Sequence, residues 1–288
     1  MDHQLTGSLS VNFAYFRRVQ GGLTVTDNTS VTPADYDPFC VTAPKNANLP
    51  NGGGYQVCGL YDVKPAKFGL TTNQVNAAST YDRESTDVWN GFDIGTSMRF
   101  KGGGQISGGL STGRAHKVNS ADVDGPQSGA AFNCSSVDVP GGRDYCDLTE
   151  PFQTSVKVLG SYPLPWGINV SGTLANVPGQ FLQGTFVYRN ADIAPSLGRN
   201  LSAGANGTVT VNLIKPRTEM LPRNTQIDMK IGKSIRAGRA NFEPSFDIVN
   251  LLNANGVEAY NNPVNDVYPK PVRIQFGRFV KLNMLVTF

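Results

Sequence analysis

The stretch Val272-Arg273-Ile274-Gln275-Phe276-Gly277-Arg278-Phe279-Val280-Lys281-Leu282-Asn283-Met284-Leu285-Val286-Thr287-Phe288 decides the fold. Its even positions are apolar except for Arg278, and its odd positions are polar or small except for Phe279 and Leu285. Successive side chains of a strand point to opposite faces, so this period of two predicts a strand with one oily face and one wet face. Strands of soluble proteins usually run about 5 to 6 residues, and an alternation sustained over 272–288 favours the wall of a barrel over a sandwich.

The pattern recurs upstream. In 225–236, Ile227, Met229, Ile231 and Ile235 oppose Gln226, Asp228, Lys230, Gly232, Ser234 and Arg236. In 240–249, Phe242, Phe246 and Ile248 oppose Asn241, Glu243, Ser245 and Asp247, and the Arg236-Ala237-Gly238-Arg239 turn makes the two strands a hairpin. Val88, Phe92, Ile94, Met98 and Phe100 oppose Asp93, Ser97 and Arg99 in 88–100, and Gly102-Gly103-Gly104 turns the chain into 105–113. A third hairpin joins 152–162 to 168–174 through Pro163-Leu164-Pro165-Trp166-Gly167. Residues 4–17 supply one more strand, with Leu5, Leu9, Val11, Phe13 and Tyr15 on its apolar face.

These are eight long strands whose connections alternate in length, with short turns near 101–104, 163–167 and 236–239 and long polar loops at about 20–84, 114–150, 183–222 and 254–270. Outer-membrane barrels pair tight periplasmic turns with long external loops. The expected fold is therefore all-β, an antiparallel transmembrane β-barrel wall of about eight strands. Ile227, Met229, Ile231, Phe242, Phe246, Val280, Leu282 and Met284 should then face lipid, and the last strand should end at Phe288 on the periplasmic side. Asp228, Lys230, Arg236, Glu243, Asp247, Arg273 and Lys281 are the candidates to face the lumen, where their mixed signs suggest mutual pairing.

Composition agrees with that reading. Hydrophobic residues make up 39% of the chain and charged residues only 16%, the balance being filled by 32 Gly, 18 Pro and many Asn, Ser and Thr. This is a composition of turns and half-polar strands, and it disfavours helix. The formal charge of +3 is scattered along the chain, so there is no basic stripe for nucleic acid and no such partner is expected. No apolar run is long enough for a membrane-spanning helix, but a spanning strand needs only about 10 alternating residues. The N-terminus, MDHQLTGSLSVNF, has neither the basic nor the apolar part of a signal peptide, which suggests a chain that begins inside a longer protein.

Nothing in the sequence assembles a catalytic or cofactor site. The cysteines fall into local pairs, Cys40 with Cys58 and Cys134 with Cys146, each inside a long loop. Disulfides there would restrict the unfolded loops by roughly 3 kcal/mol each, and are favoured over four free thiols. Zinc is poorly supported, because His3 and His116 stand alone and no C-x-x-C occurs. Asp122-Val123-Asp124-Gly125 resembles the start of a calcium loop but lacks the closing carboxylate. Gly232-Lys233-Ser234 resembles the end of a phosphate loop, yet Ile227 stands where the first Gly is needed. No enzyme is expected.

The segments GLTVTDNTSVTPADYDPFCVTAP (22–44), CGLYDVKPAKFG (58–69), VKVLGSYPLP (156–165), APSLGRNLS (194–202), FDIVNLLNANGV (246–257) and FVKLNMLVTF (279–288) together resemble the C-terminal barrel of TonB-dependent receptors. The likeness is to the large Oar-like receptors of acidobacterial type. It implies part of a barrel of about 22 strands closed by an N-terminal plug, in the bacterial outer membrane, importing scarce nutrients with energy from the TonB complex. It also implies partners: lipid, the plug and remaining strands, the TonB complex through a segment outside 1–288, and the barrel assembly machinery through Phe288. This sequence has room for neither plug nor TonB box, so a fragment of such a transporter is the expectation. Two other readings remain open, an independent eight-stranded barrel of the adhesion or small-porin kind and a soluble secreted sandwich that binds carbohydrate.

Overall fold

The computed structural model describes residues 2–81, 86–118 and 147–288. Along the chain, β1 (Asp2–Thr6) and β2 (Leu9–Gln20) form a hairpin, after which the first long connection folds into β3 (Thr24–Asn28), β4 (Tyr36–Thr42), β5 (Gln56–Val63) and β6 (Asn73–Ala77). β7 (Thr86–Arg99), β8 (Gln105–Val118), the short β9 (Asp147–Thr149), β10 (Gln153–Leu164) and β11 (Ile168–Val177) return to the main sheet. The next connection carries β12 (Thr185–Arg189), α1 (Asn190–Leu197) and β13 (Thr208–Asn212). β14 (Asn224–Lys233), β15 (Ile235–Ala237) and β16 (Ala240–Val249) follow, then β17 (Val257–Asn261), β18 (Lys270–Ile274) and β19 (Phe279–Thr287). The fold is all-β with one short helix, a helix the composition did not lead one to expect; Gly198 stops it in the left-handed conformation.

The main sheet is an antiparallel meander in the order β1-β2-β7-β8-β10-β11-β14-β16, with β19 added on β16 and β15 continuing β14 beyond Ser234. β1 and β19 are its two margins, and among the described residues no ladder joins them. All four tight turns lie at one end, and all the long connections leave from the other.

Two strands differ from the sequence reading. Residues 4–17 are broken at Gly7-Ser8, where the chain reverses and the two arms pair, so Leu5 belongs to β1 while Leu9, Val11, Phe13 and Tyr15 stay on β2. The alternation ran through the turn because the two-residue reversal pairs Thr6 with Leu9 and a register shift between Gln4 and Thr6 then restores parity, so that Gln4 opposes Ser10 and His3 opposes Val11. The 272–288 run is also two strands. Residues 275–278 leave the ladder: the Gln275 amide N–H donates to the Gly256 carbonyl (2.8 Å) and that of Arg278 to the Asn253 side chain (2.9 Å). Only β19 lies in the main sheet, whereas β18 pairs with β17 in a separate ribbon.

The core is not where a sheet protein usually keeps it. The buried cluster comprises Phe39, Val41, Ala43, Leu49, Val57 and Leu60 from the first connection, Tyr188, Ile193, Leu201, Val211, Leu213 and Ile214 from the third, and Val264 and Tyr268 from the fourth. Three of the long connections, expected to be polar loops, thus fold into one cap with its own interior. Their apolar residues sit in short ribbons and bends, with no period long enough to read. The long strands of the main sheet contribute nothing to this cluster.

Candidate functional site: a two-faced wall and its cap

Residues opposite one another in an antiparallel ladder project from the same face, so the registers sort the wall into two surfaces. Tyr162, Val170, Ile231, Phe246 and Leu282 form one lateral row. Leu9, Met98, Ile106, Gly160, Gly172, Met229, Ile248 and Val280 form the next. Val11, Phe13, Ile94, Leu110, Val156, Val158, Leu174 and Ile227 fill the rows toward the cap, and Phe242, Met284 and Val286 those toward the turns. All eight residues expected to face lipid lie on this one face of the sheet. Within this band Lys233, paired with Ile168 at the turn end, is the one charged residue at an outward position. No layer of the described residues covers the band: Leu282 is 78% exposed, Met284 60% and Phe13 47%.

The opposite face is mostly polar or small, with Phe16, Leu159, Phe279 and Leu285 among its large apolar exceptions. Lys230, Asp247 and Lys281 lie side by side on it, with Asp228, Glu243 and Arg236 at the same phase. The expected mutual pairing does not occur, because among the described residues these groups form no ion pair with one another. Asp228 instead accepts from the Gln226 amide (2.9 Å) and the Asn250 backbone (2.8 Å), Asp247 from Asn283 (2.6 Å), and Glu243 from Asn241 (2.7 Å). Asp247 stands in register between Lys230 and Lys281, yet its carboxylate is taken by the neighbouring Asn283 amide. A hollow of about 310 Å³ opens on this face between Lys230, Glu243, Asn169, Ser171 and Asn283. Arg273 is absent from it. That residue lies on β18 in the cap and pairs with Glu258 (2.9 Å), because the chain leaves the wall at 275–278.

Further along the polar face Trp89 lies flat on the backbone, and a Cβ at either Gly91 or Gly113 would meet its ring at 2.2 Å. Only glycine leaves room for the indole there. Beyond it the register partners Asp87 and Lys117 form a buried ion pair (3.3 Å) under the cap. Neither the glycine cradle nor this pair was evident from sequence, since glycine spacing carries no strand signal of its own.

Arg199 locks the cap. Asp37 and Asp62 face each other across β4 and β5, a like-charged pair that would repel. Arg199, reaching over from the third connection, donates to Asp37 (2.8 Å) and also to Asp62. Cys40 and Cys58 are bonded within the same ribbon, as expected from their spacing. Cys134, Cys146 and the Asp122 to Gly125 motif lie outside the described residues. His116 is not isolated: its ring meets Asp147 at 2.8 Å. No cluster of metal ligands exists among the described residues.

Tyrosines pin the connections together. The Tyr188 hydroxyl donates to the Thr42 carbonyl (2.9 Å), that of Tyr268 to Gln183 (2.7 Å) and that of Tyr260 to Phe181 (2.9 Å). Burial, the largest cause in each case, raises the pKa of all three phenols. The folded cap therefore keeps protons that the unfolded chain releases near pH 10, and its stability is full below that pH and falls as pH rises above it. A phenolate absorbance titration should show three tyrosines ionising only together with loss of cap structure; ordinary titration of all tyrosines with the cap intact would contradict the packing.

No protein-family model and no curated protein matches the sequence. No helix among the described residues is long and apolar enough to cross a membrane, a result that leaves strands unaddressed.

Proposed function

We propose that this chain is the C-terminal part of the barrel of a TonB-dependent outer-membrane receptor, contributing wall strands and external loops to nutrient uptake. The observation that carries this reading is the apolar face, continuous over eight long strands and uncovered by any layer of the described residues. Each large side chain left in water forgoes roughly 1.5–3 kcal/mol of burial, so a sheet of this kind needs an apolar solvent on that side. Lipid is such a solvent. The wet opposite face is then the lumen wall, available to the plug, and the cap end is external.

The separate margins support a piece of a larger wall. Unpaired backbone groups cost several kcal/mol each in hydrocarbon, so β1 and β19 require neighbouring strands. The TonB complex acts through the plug segment, and Phe288, 98% exposed at the turn end, is the contact offered to the assembly machinery.

The test is a nitroxide scan of the full-length gene product in lipid. Labels at 229, 231, 246 and 282 should collide with oxygen, and labels at 228, 230, 247 and 281 with a water-soluble relaxer. Water access on both faces would point instead to a soluble sandwich. Residues 1–288 exported alone and recovered as a compact, boiling-sensitive monomer would favour an independent eight-stranded barrel.

A further inference from the structure

The outward face changes character at its cap end. In the row beyond Tyr15, Phe92 and Thr112 stand Arg17, Asn90 and Arg114, side by side in register. Arg223, just before β14, has the same outward phase, and its guanidinium is held by the Asn176 side chain (2.7 Å) and the Thr154 carbonyl. Arg114 stacks over the Phe152 ring at 4.8 Å, and the Tyr15 hydroxyl donates to Asn90 at 2.9 Å. All three arginines are exposed, and none makes an ion pair among the described residues. The acids closest in sequence to Phe152 are already engaged, Asp147 by His116 and Glu150 by Arg217. Two inter-strand steps set Arg17 and Arg114 about 10 Å apart.

We propose that Arg17, Arg114 and Arg223 bind the phosphate headgroups of net-anionic lipids in the leaflet at the cap end. The proposal rests on the membrane reading above. Three positive charges with no ion pair among the described residues, at the edge of an apolar band, attract anions, and the planar guanidinium matches phosphate oxygens two at a time. Phe152 and Tyr15 suit the same depth, since amphipathic rings gather where hydrocarbon meets headgroups. Lipid supplies both requirements at once, with chains along the band and a phosphate at its rim.

The experiment uses the full-length gene product extracted from membranes in non-ionic detergent, with phosphatidylglycerol or phosphatidylcholine of equal chain length added and retained lipid counted by native mass spectrometry. The wild type should retain phosphatidylglycerol preferentially. Each arginine near an anionic surface is worth about fivefold, so R17Q/R114Q should retain roughly 25-fold less. R17K/R114K, which keeps the charge, should stay within a few-fold of the wild type, and K101Q/R239Q at the turn end should match it. Equal retention of the two lipids, or undiminished retention by R17Q/R114Q, overturns the site. Recovery of the wild type in the soluble fraction without detergent overturns the membrane reading instead, so the two failures are distinguishable.

Discussion

Replacing Phe246 with arginine is expected to cost about 2–4 kcal/mol of folding stability in lipid, the range for a cation at the middle of a barrel's lipid face. Phe246 sits between Ile231 and Leu282 in one lateral row and is 41% exposed. The size of the effect separates solvents. In water, Phe246→Arg at so exposed a position should change stability by no more than about 0.5 kcal/mol. Lys281→Gln, one residue from Leu282 but on the polar face, should be nearly silent in either case. Urea titrations of the full-length product in lipid vesicles read both variants. Equal small effects for the two would remove the distinction between the faces on which the proposed function depends.

The second large effect is expected at Asn250, which is 1% exposed and adopts φ 54°. Its side-chain amide donates to the Ala254 (2.8 Å) and Phe276 (2.7 Å) carbonyls and accepts from the Ala254 N–H (2.9 Å). The Asn250 backbone N–H also bonds Asp228, so this residue ties the end of β16 to the polar wall and to the segment before β19. Asn250→Ala removes three side-chain bonds, leaves buried carbonyls unpaired and forces alanine into the left-handed region, for about 3–5 kcal/mol in all. Asn250→Gly relieves only the backbone strain and should recover about 1 kcal/mol of that. Hydrogen exchange at Ala254 and Arg278 reports the loosening directly. Unchanged protection in Asn250→Ala would show that the turn is held by something other than this amide.

Much of the wall was legible because its signal is local. Val88 to Phe100 and Ile227 to Ile235 alternate apart from Trp89, Asn90 and Lys233, and the structure gives them as β7, β14 and β15 with the anticipated faces. Errors arose where parity survived a break. Gly7-Ser8 and the 275–278 segment interrupt the strand without shifting the alternation, and this carried Arg273 wrongly into the lumen. The Asp37, Asp62 and Arg199 lock was invisible for another reason: its members are far apart in sequence, and a carboxylate in a loop looks solvated until its partner arrives.

The sequence alone determined the parts that depend on nearest neighbours: the period of two, the two-faced strands, the short turns at one end, and the pairing of Cys40 with Cys58 inside one loop. Tertiary structure decided what depends on contacts between distant segments. Ladder registers turned separate amphipathic strands into one apolar surface, the interleaved amides engaged the carboxylates of the polar face, and three connections pooled their apolar residues into a cap. The physical reason is that alternation is written along the chain, whereas burial is a property shared among segments that meet only when the chain has folded.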